Sequence, residues 1–177
     1  MAADHDGLIS EGRAALAGCD WSAAREAFER AATIDESAEV ADGLGQALYW
    51  LGEYPLALAR REQAYRLFHR DGDHRGAAMV AIRLAMWHGL IYGNASAVNG
   101  WVAHAQRNVE RCGDCPELGW IELFLACVTG DPHERERRAG DAMAIGRRHE
   151  QPELEYDALA YIGQPGSSSG RSMPACG

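Results

Sequence analysis

Small residues recur in this chain at a fixed interval. Gly12, Cys19, Ala24 and Ala31 stand at steps of seven, five and seven, and Gly45, Gly52, Ala57 and Ala64 repeat those steps thirty-three residues later. The residues of the intervening turns align as well, Asp20-Trp21 with Glu53-Tyr54. Glycine weakens a helix interior by about 1 kcal/mol relative to alanine, so a helix that carries it must regain the loss by packing. Two helices that cross closely need small side chains at the crossing, and a short turn between them favours glycine. One such hairpin cannot bury its own apolar face; several stacked hairpins bury a continuous core.

The rest of the chain extends this reading. Residues 7–34 read as two helices broken at Gly18-Cys19-Asp20, with Leu8, Ala15 and Leu16 on the first and Ala24, Phe28 and Ala31 on the second, at helical spacing. No alternating run of β-branched residues competes. A looser third copy occupies 76–109: a helix around Ala77 to Tyr92, a Gly93-Asn94 turn, then Val98, Val102 and Ala105. A fourth follows the frame Leu123, Gly130, Arg135 and Ala142, turning at Gly130-Asp131-Pro132, and Glu155 to Gln164 begins a fifth, with Gly163 at the place of Gly12 and Gly45. The segments 71–76 and 111–119 act as spacers. The expected fold is all-α, an α-solenoid of about four hairpins plus a partial fifth over residues 1–164.

Leu44-Gly45, Gly52, Tyr54, Ala57 and Ala64, together with Gly12, Trp21, Ala24, Phe28 and Ala31, resemble the tetratricopeptide repeat, a 34-residue helix-turn-helix unit. The pattern departs from that repeat in three places: neither unit has the early tryptophan, Arg61 stands where an aromatic is usual, and the third unit has another length. The run from Gly43 to Ala85, with GWVAHAQRNVE and CPELGW after it, is similar to the helical repeat region of actinobacterial LuxR-type transcriptional regulators. That resemblance implies a protein-interaction region upstream of a DNA-binding helix-turn-helix. No phosphate-binding glycine loop is present and the sequence stops before such a DNA-binding domain, so a truncated regulator is expected.

Residues 165–177, PGSSSGRSMPACG, are rich in glycine, serine and proline, a composition that resists packing. A frameshift offers a second origin. Serine codons of the TCN type, read one nucleotide earlier, encode Phe, Leu, Ile or Val, so Ser167, Ser168 and Ser169 would become an apolar run and Pro165 and Pro174 would become alanine.

Charge and cysteine usage exclude several functions. All 17 basic residues are arginine, and with 26 acidic residues they leave a formal charge of −9, the wrong sign for a nucleic-acid surface. No apolar run approaches the length of a membrane span, and the acidic N-terminus lacks a signal core, so a cytoplasmic location is expected. Five cysteines in such a chain are expected to be reduced. Cys112 and Cys115 form the one CxxC, but a zinc site needs a second pair or spaced histidines and a redox site needs a strand before it. An inter-repeat loop is expected there. HERERR, 133–138, alternates in sign, and Glu134 with Arg138 forms an ordinary i,i+4 pair. Histidines are scattered, and no nucleophile elbow, Walker loop or dinucleotide fingerprint appears. A non-catalytic chain without metal or cofactor is expected.

What the tetratricopeptide resemblance implies is a concave groove lined by the first helix of each hairpin. Carried over frame by frame, the groove positions are Glu39, Asp42, Gln46, Tyr49 and Trp50, then Arg83 and Trp87, then Trp120 and Phe124. Large aromatics there suit a protein or peptide partner; a small effector held by the same aromatics is the alternative. The dicarboxylate clamp of some members needs basic residues where Asp42 and Trp50 stand, which excludes that specificity. An uncapped last helix would favour self-association.

Overall fold

A computed structural model describes residues 2–162. Every regular element among them is helical, and the helices are α1 (Ala2–Ala17), α2 (Trp21–Ile34), α3 (Ala38–Trp50), α4 (Tyr54–Arg70), α5 (His74–Tyr92), α6 (Ala95–Cys112), α7 (Glu117–Val128), α8 (Pro132–Arg148) and α9 (Pro152–Leu159). Side chains stop and start them where the sequence changes character. Asp20, Ser37, Asn94 and Asp131 accept hydrogen bonds from backbone N–H groups in the first turns of α2, α3, α6 and α8, which satisfies donors that have no partner inside the helix.

The chain divides between Val80 and Ala81, inside α5. In the first unit α1 packs on α2 and α3 on α4, while α3 also packs on α1 and α2. The repeat is visible in the backbone of the two turns. The N–H of Asp20 donates to the carbonyl of Ala15 at 2.9 Å, and thirty-three residues on Glu53 donates to Leu48 at 2.9 Å. Cys19 and Gly52 occupy matching places, both left-handed, at φ 57° and 80°. Glycine adopts that conformation freely, whereas the Cys19 side chain makes it costly.

Packing explains the other small residues. A Cβ on Gly12 would lie 2.7 Å from Cζ of Phe28, and one on Gly43 would lie 2.3 Å from the same atom, so the ring from α2 is wedged between α1 and α3. Burying such a ring stabilises by roughly 1.5–3 kcal/mol. At Gly45 an added Cβ would meet Cγ of Arg61 at 2.9 Å and the carbonyl of Ala57 at 3.2 Å, while Ala57 and Ala64 are fully buried. Gly12 thus stands to Phe28 as Gly45 stands to Arg61, at an offset of thirty-three residues.

In the second unit α7 packs on α6, α8 and α9, and α8 on α9. Leu123, Ala142, Ile145, Leu154 and Ala158 form a core with Leu118, Trp120, Met143 and Tyr161 at its margin. Gly119 allows Leu154 and Ile145 to approach α7, since a Cβ there would lie 2.5 Å from Leu154.

Element boundaries differ from the sequence reading at several points. α5 begins at His74, absorbing half of the expected spacer at 71–76, because Asp73 accepts from the N–H of Gly76 at 2.9 Å and starts the helix early. α6 runs through Cys112, and α7 begins at Glu117. The last helix starts at Pro152 and ends at Leu159, where i,i+3 backbone bonds from Ala160, Tyr161 and Ile162 tighten the chain. The expected role of Gly163 and the frameshift reading of 165–177 lie outside the described residues.

Candidate functional site

The first unit contains a half-open cleft of about 440 Å³. Arg13 and Leu16 reach it from α1, Glu39, Asp42, Gly43 and Gln46 from α3, Phe28 and Phe68 from α2 and α4, and Asp73 and Gly76 from the start of α5. The helical period sets three of these: positions 39, 42 and 46 lie at steps of three and four, so they share one face of α3. A larger hollow between α1 and α2 is shallow and close to flat surface.

Of the nine residues predicted to line a groove, Glu39, Asp42 and Gln46 are brought together in this cleft. Two of them also serve the unit internally. Glu39 is ion-paired with Arg13, joining α3 to α1. Asp42 faces Arg61 of α4, with Oδ1 2.9 Å from Nε; the Arg61 side chain is 2% exposed and that of Asp42 18%. Arg61, which broke the tetratricopeptide pattern, is therefore a core residue whose charge is met by an acidic residue one helix away. The sequence held a signal for this. One repeat earlier the corresponding residues are Ile9 and Phe28, both buried, so two apolar residues change together into a complementary charged pair.

Tyr49 and Trp50 lie elsewhere, at the turn end of the same helix. The indoles of Trp50 and Trp21 stack at 5.2 Å with 18° between their planes, and Tyr49 meets Trp50 edge-on at 5.3 Å and Tyr54 at 5.6 Å. Trp50 remains 43% exposed and Tyr54 is exposed too. Burial pushes the Tyr49 hydroxyl above its ordinary value, helped by Tyr54 and opposed by the positive charge of Arg61. Beside this cluster Arg25 of α2 bridges Glu29 at 2.7 Å and Glu53 at 2.6 Å.

Two of the four predicted residues of the second unit, Trp87 and Phe124, are buried, and the other two, Arg83 and Trp120, are half-buried. Trp87 is 3% exposed and Phe124 9%, because each falls on the apolar stripe of its helix and is consumed by packing. Trp120 lies against the core made by α7, α8 and α9. Arg83 of α5 is half-buried.

Cys112 is the last residue of α6, and Cys115 is buried in the connection to α7. Burial pushes the Cys115 thiol up to about 11, away from the range of a reactive thiolate. Among the described residues no group of three or more histidine, cysteine or carboxylate side chains is placed to hold a metal ion. Two of the three arginines of HERERR are engaged in ion pairs, Arg138 with Glu134 and Glu122, both at 2.7 Å, and Arg137 with Glu134 and Asp141, while Arg135 donates to the carbonyl of Thr129 at 3.1 Å. No described helix is long and apolar enough to cross a membrane.

Arg13, Phe28, Phe68, Asp73 and Gly76 were missed as cleft residues because they come from four separate helices and a turn. Compared with family models, with curated proteins and with solved structures, the chain matches none of them.

Proposed function

We propose that the chain is a non-catalytic protein-interaction module, a solenoid of tetratricopeptide-like hairpins that receives a protein or peptide partner in the cleft of its first unit. It acts in the cytoplasm as the repeat part of a LuxR-like transcriptional regulator, without metal or cofactor and without itself contacting nucleic acid. The observation that carries this reading is the matched register of the first two hairpins, Gly12 with Phe28 and Gly45 with Arg61, which sets α1 and α3 side by side with a concave, half-open surface beside them. Substituting Gln46→Arg fills that surface from a half-buried position on α3. Affinity capture with the intact chain, followed by mass spectrometry, should recover a partner that this variant loses while keeping its helical circular dichroism. A partner retained by Gln46→Arg but lost by Trp50→Ala would move the site to the aromatic cluster.

A second reading is favoured by the volume of the cleft, which lies within the range of small-molecule sites. In that case a metabolite screen by thermal shift would give saturable stabilisation that Gln46→Arg abolishes.

A further inference from the structure

We infer that Cys112 and Cys115 form a reversible dithiol–disulfide pair, closed by exchange with a low-molecular-weight disulfide and opened again by a thiol. The inference concerns the second unit and is independent of the cleft. Three observations carry it. The chain leaves α6 at Cys112, takes a positive φ of 74° at Gly113 and bends at Asp114, so one sharp turn separates the two sulfurs. That turn is clasped from outside, because the Asp114 carboxylate accepts from Arg148 at 2.6 Å and is bonded to His149 at 3.0 Å, at the end of α8. Glu117, the first residue of α7, is 8% exposed and accepts a hydrogen bond from the Cys115 thiol. A carboxylate buried to that depth needs donors, and one of them here is a thiol.

Access sets the order of events. Cys112 is half-buried, whereas Cys115 is 3% exposed and burial pushes its thiol up to about 11, so a small disulfide RSSR meets Cys112 first. The Cys112 thiolate attacks one sulfur of RSSR, forming Cys112–S–S–R and releasing RS⁻, which takes up the proton that Cys112 lost. Cys115 then gives its proton to Glu117 as its sulfur attacks that of Cys112 and displaces the second RS⁻, to which the proton passes. Two protein thiols and RSSR become one protein disulfide and two RSH; the protein loses two electrons and RSSR gains them. A thiol with so high a value ionises too rarely to close the bridge unaided, which gives the buried Glu117 its part as proton acceptor. The exchange is stoichiometric and needs no strand before the motif. Where thiols are kept reduced, such disulfides are usually transient and redox-sensing; this one would fasten the end of α6 to the start of α7.

The probe is oxidised glutathione, added to the whole chain, with iodoacetamide to block remaining thiols and peptide mass mapping to read the product. Trypsin releases residues 112–135, which hold Cys112, Cys115 and Cys127. This peptide should lose two hydrogens, fragmentation should place the bond between Cys112 and Cys115, and dithiothreitol should restore both thiols. Cys115→Ser should trap glutathione on Cys112, whereas in Cys112→Ser the Cys115 thiol should take up iodoacetamide only after unfolding. Glu117→Gln should slow closure several-fold or more, with the mixed disulfide accumulating on Cys112, and Glu117→Asp should recover part of the rate; circular dichroism should stay helical in these variants. Loss of helical signal in Glu117→Gln without accumulation of the mixed disulfide would overturn the proton-accepting role. The parent's own map decides the pair even where a variant fails to fold. A bond from either cysteine to Cys127, stable glutathione on both Cys112 and Cys115, or two unreacted thiols there while the exposed Cys19 is glutathionylated would each overturn the inference.

Discussion

Removing either half of the Asp42–Arg61 pair should have unequal consequences. Arg61 is 2% exposed, so Asp42→Ile leaves a guanidinium in the core without the carboxylate 2.9 Å away. Stranding a buried charge costs about 3–5 kcal/mol. Arg61→Met keeps an unbranched stem near Gly45 and leaves a carboxylate that borders the cleft, where water reaches it. That change should cost about 1–2 kcal/mol. The double variant Asp42→Ile/Arg61→Phe installs the residues found one repeat earlier, and exchanging a buried ion pair for well-packed apolar groups is commonly neutral or stabilising. It should lie within about 1 kcal/mol of the parent, or above it. Thermal unfolding followed by circular dichroism at 222 nm reads the series at about 2–4 °C per kcal/mol for a chain of this length. Equal costs for the single variants, or a double variant no better than Asp42→Ile, would refute the view that Arg61 substitutes for Phe28 within the repeat.

Gly43→Ala should destabilise by about 1–3 kcal/mol, because the new Cβ would fall within 2.3 Å of Phe28; Gly100→Ala, where nothing lies within 4 Å of the added atom, should stabilise α6 by about 0.5–1 kcal/mol, and the two urea midpoints should move in opposite directions. Cys19→Gly relieves a left-handed residue at φ 57° and should raise the same midpoint. Asp114, bonded to His149 at 3.0 Å and to Arg148 at 2.6 Å, has its carboxyl held below the ordinary 3.8, first by the His149 hydrogen bond. Its folded value is depressed, so its contribution is present above 3.8 and is lost as pH falls through the lowered value; Asp114→Asn should lower stability slightly at neutral pH, converge with the parent in acid and so flatten that part of the acid-unfolding curve. Tyr156 and Leu159 are exposed on α9, and light scattering at rising concentration should show association that Tyr156→Glu with Leu159→Glu removes; a parent that stays monomeric would end that proposal.

The helices and the two sharp turns of the first unit could be read from residue spacing, since the 3.6-residue period and the left-handed turn are local properties. The cleft was legible only in part. Glu39, Asp42 and Gln46 could be placed together because they share one helix face, but Arg13, Phe28, Phe68 and Asp73 join them through packing between helices. Trp87 and Phe124 show the opposite failure. An aromatic on a first helix can serve either a groove or a core, and spacing along that helix is the same in both cases.

Sequence alone determined that the chain is helical, where its first hairpins turn, and that small residues are needed at their crossings, because each follows from local backbone geometry and from the space a glycine leaves. Tertiary structure decided what fills that space: Phe28 between Gly12 and Gly43, and Arg61 against Gly45 with Asp42 as its counter-charge. Which side chain enters a gap depends on the distance and direction of a neighbouring helix, and a buried charge is tolerable only where its partner stands. Both are properties of residues far apart in the chain, fixed when the helices pack.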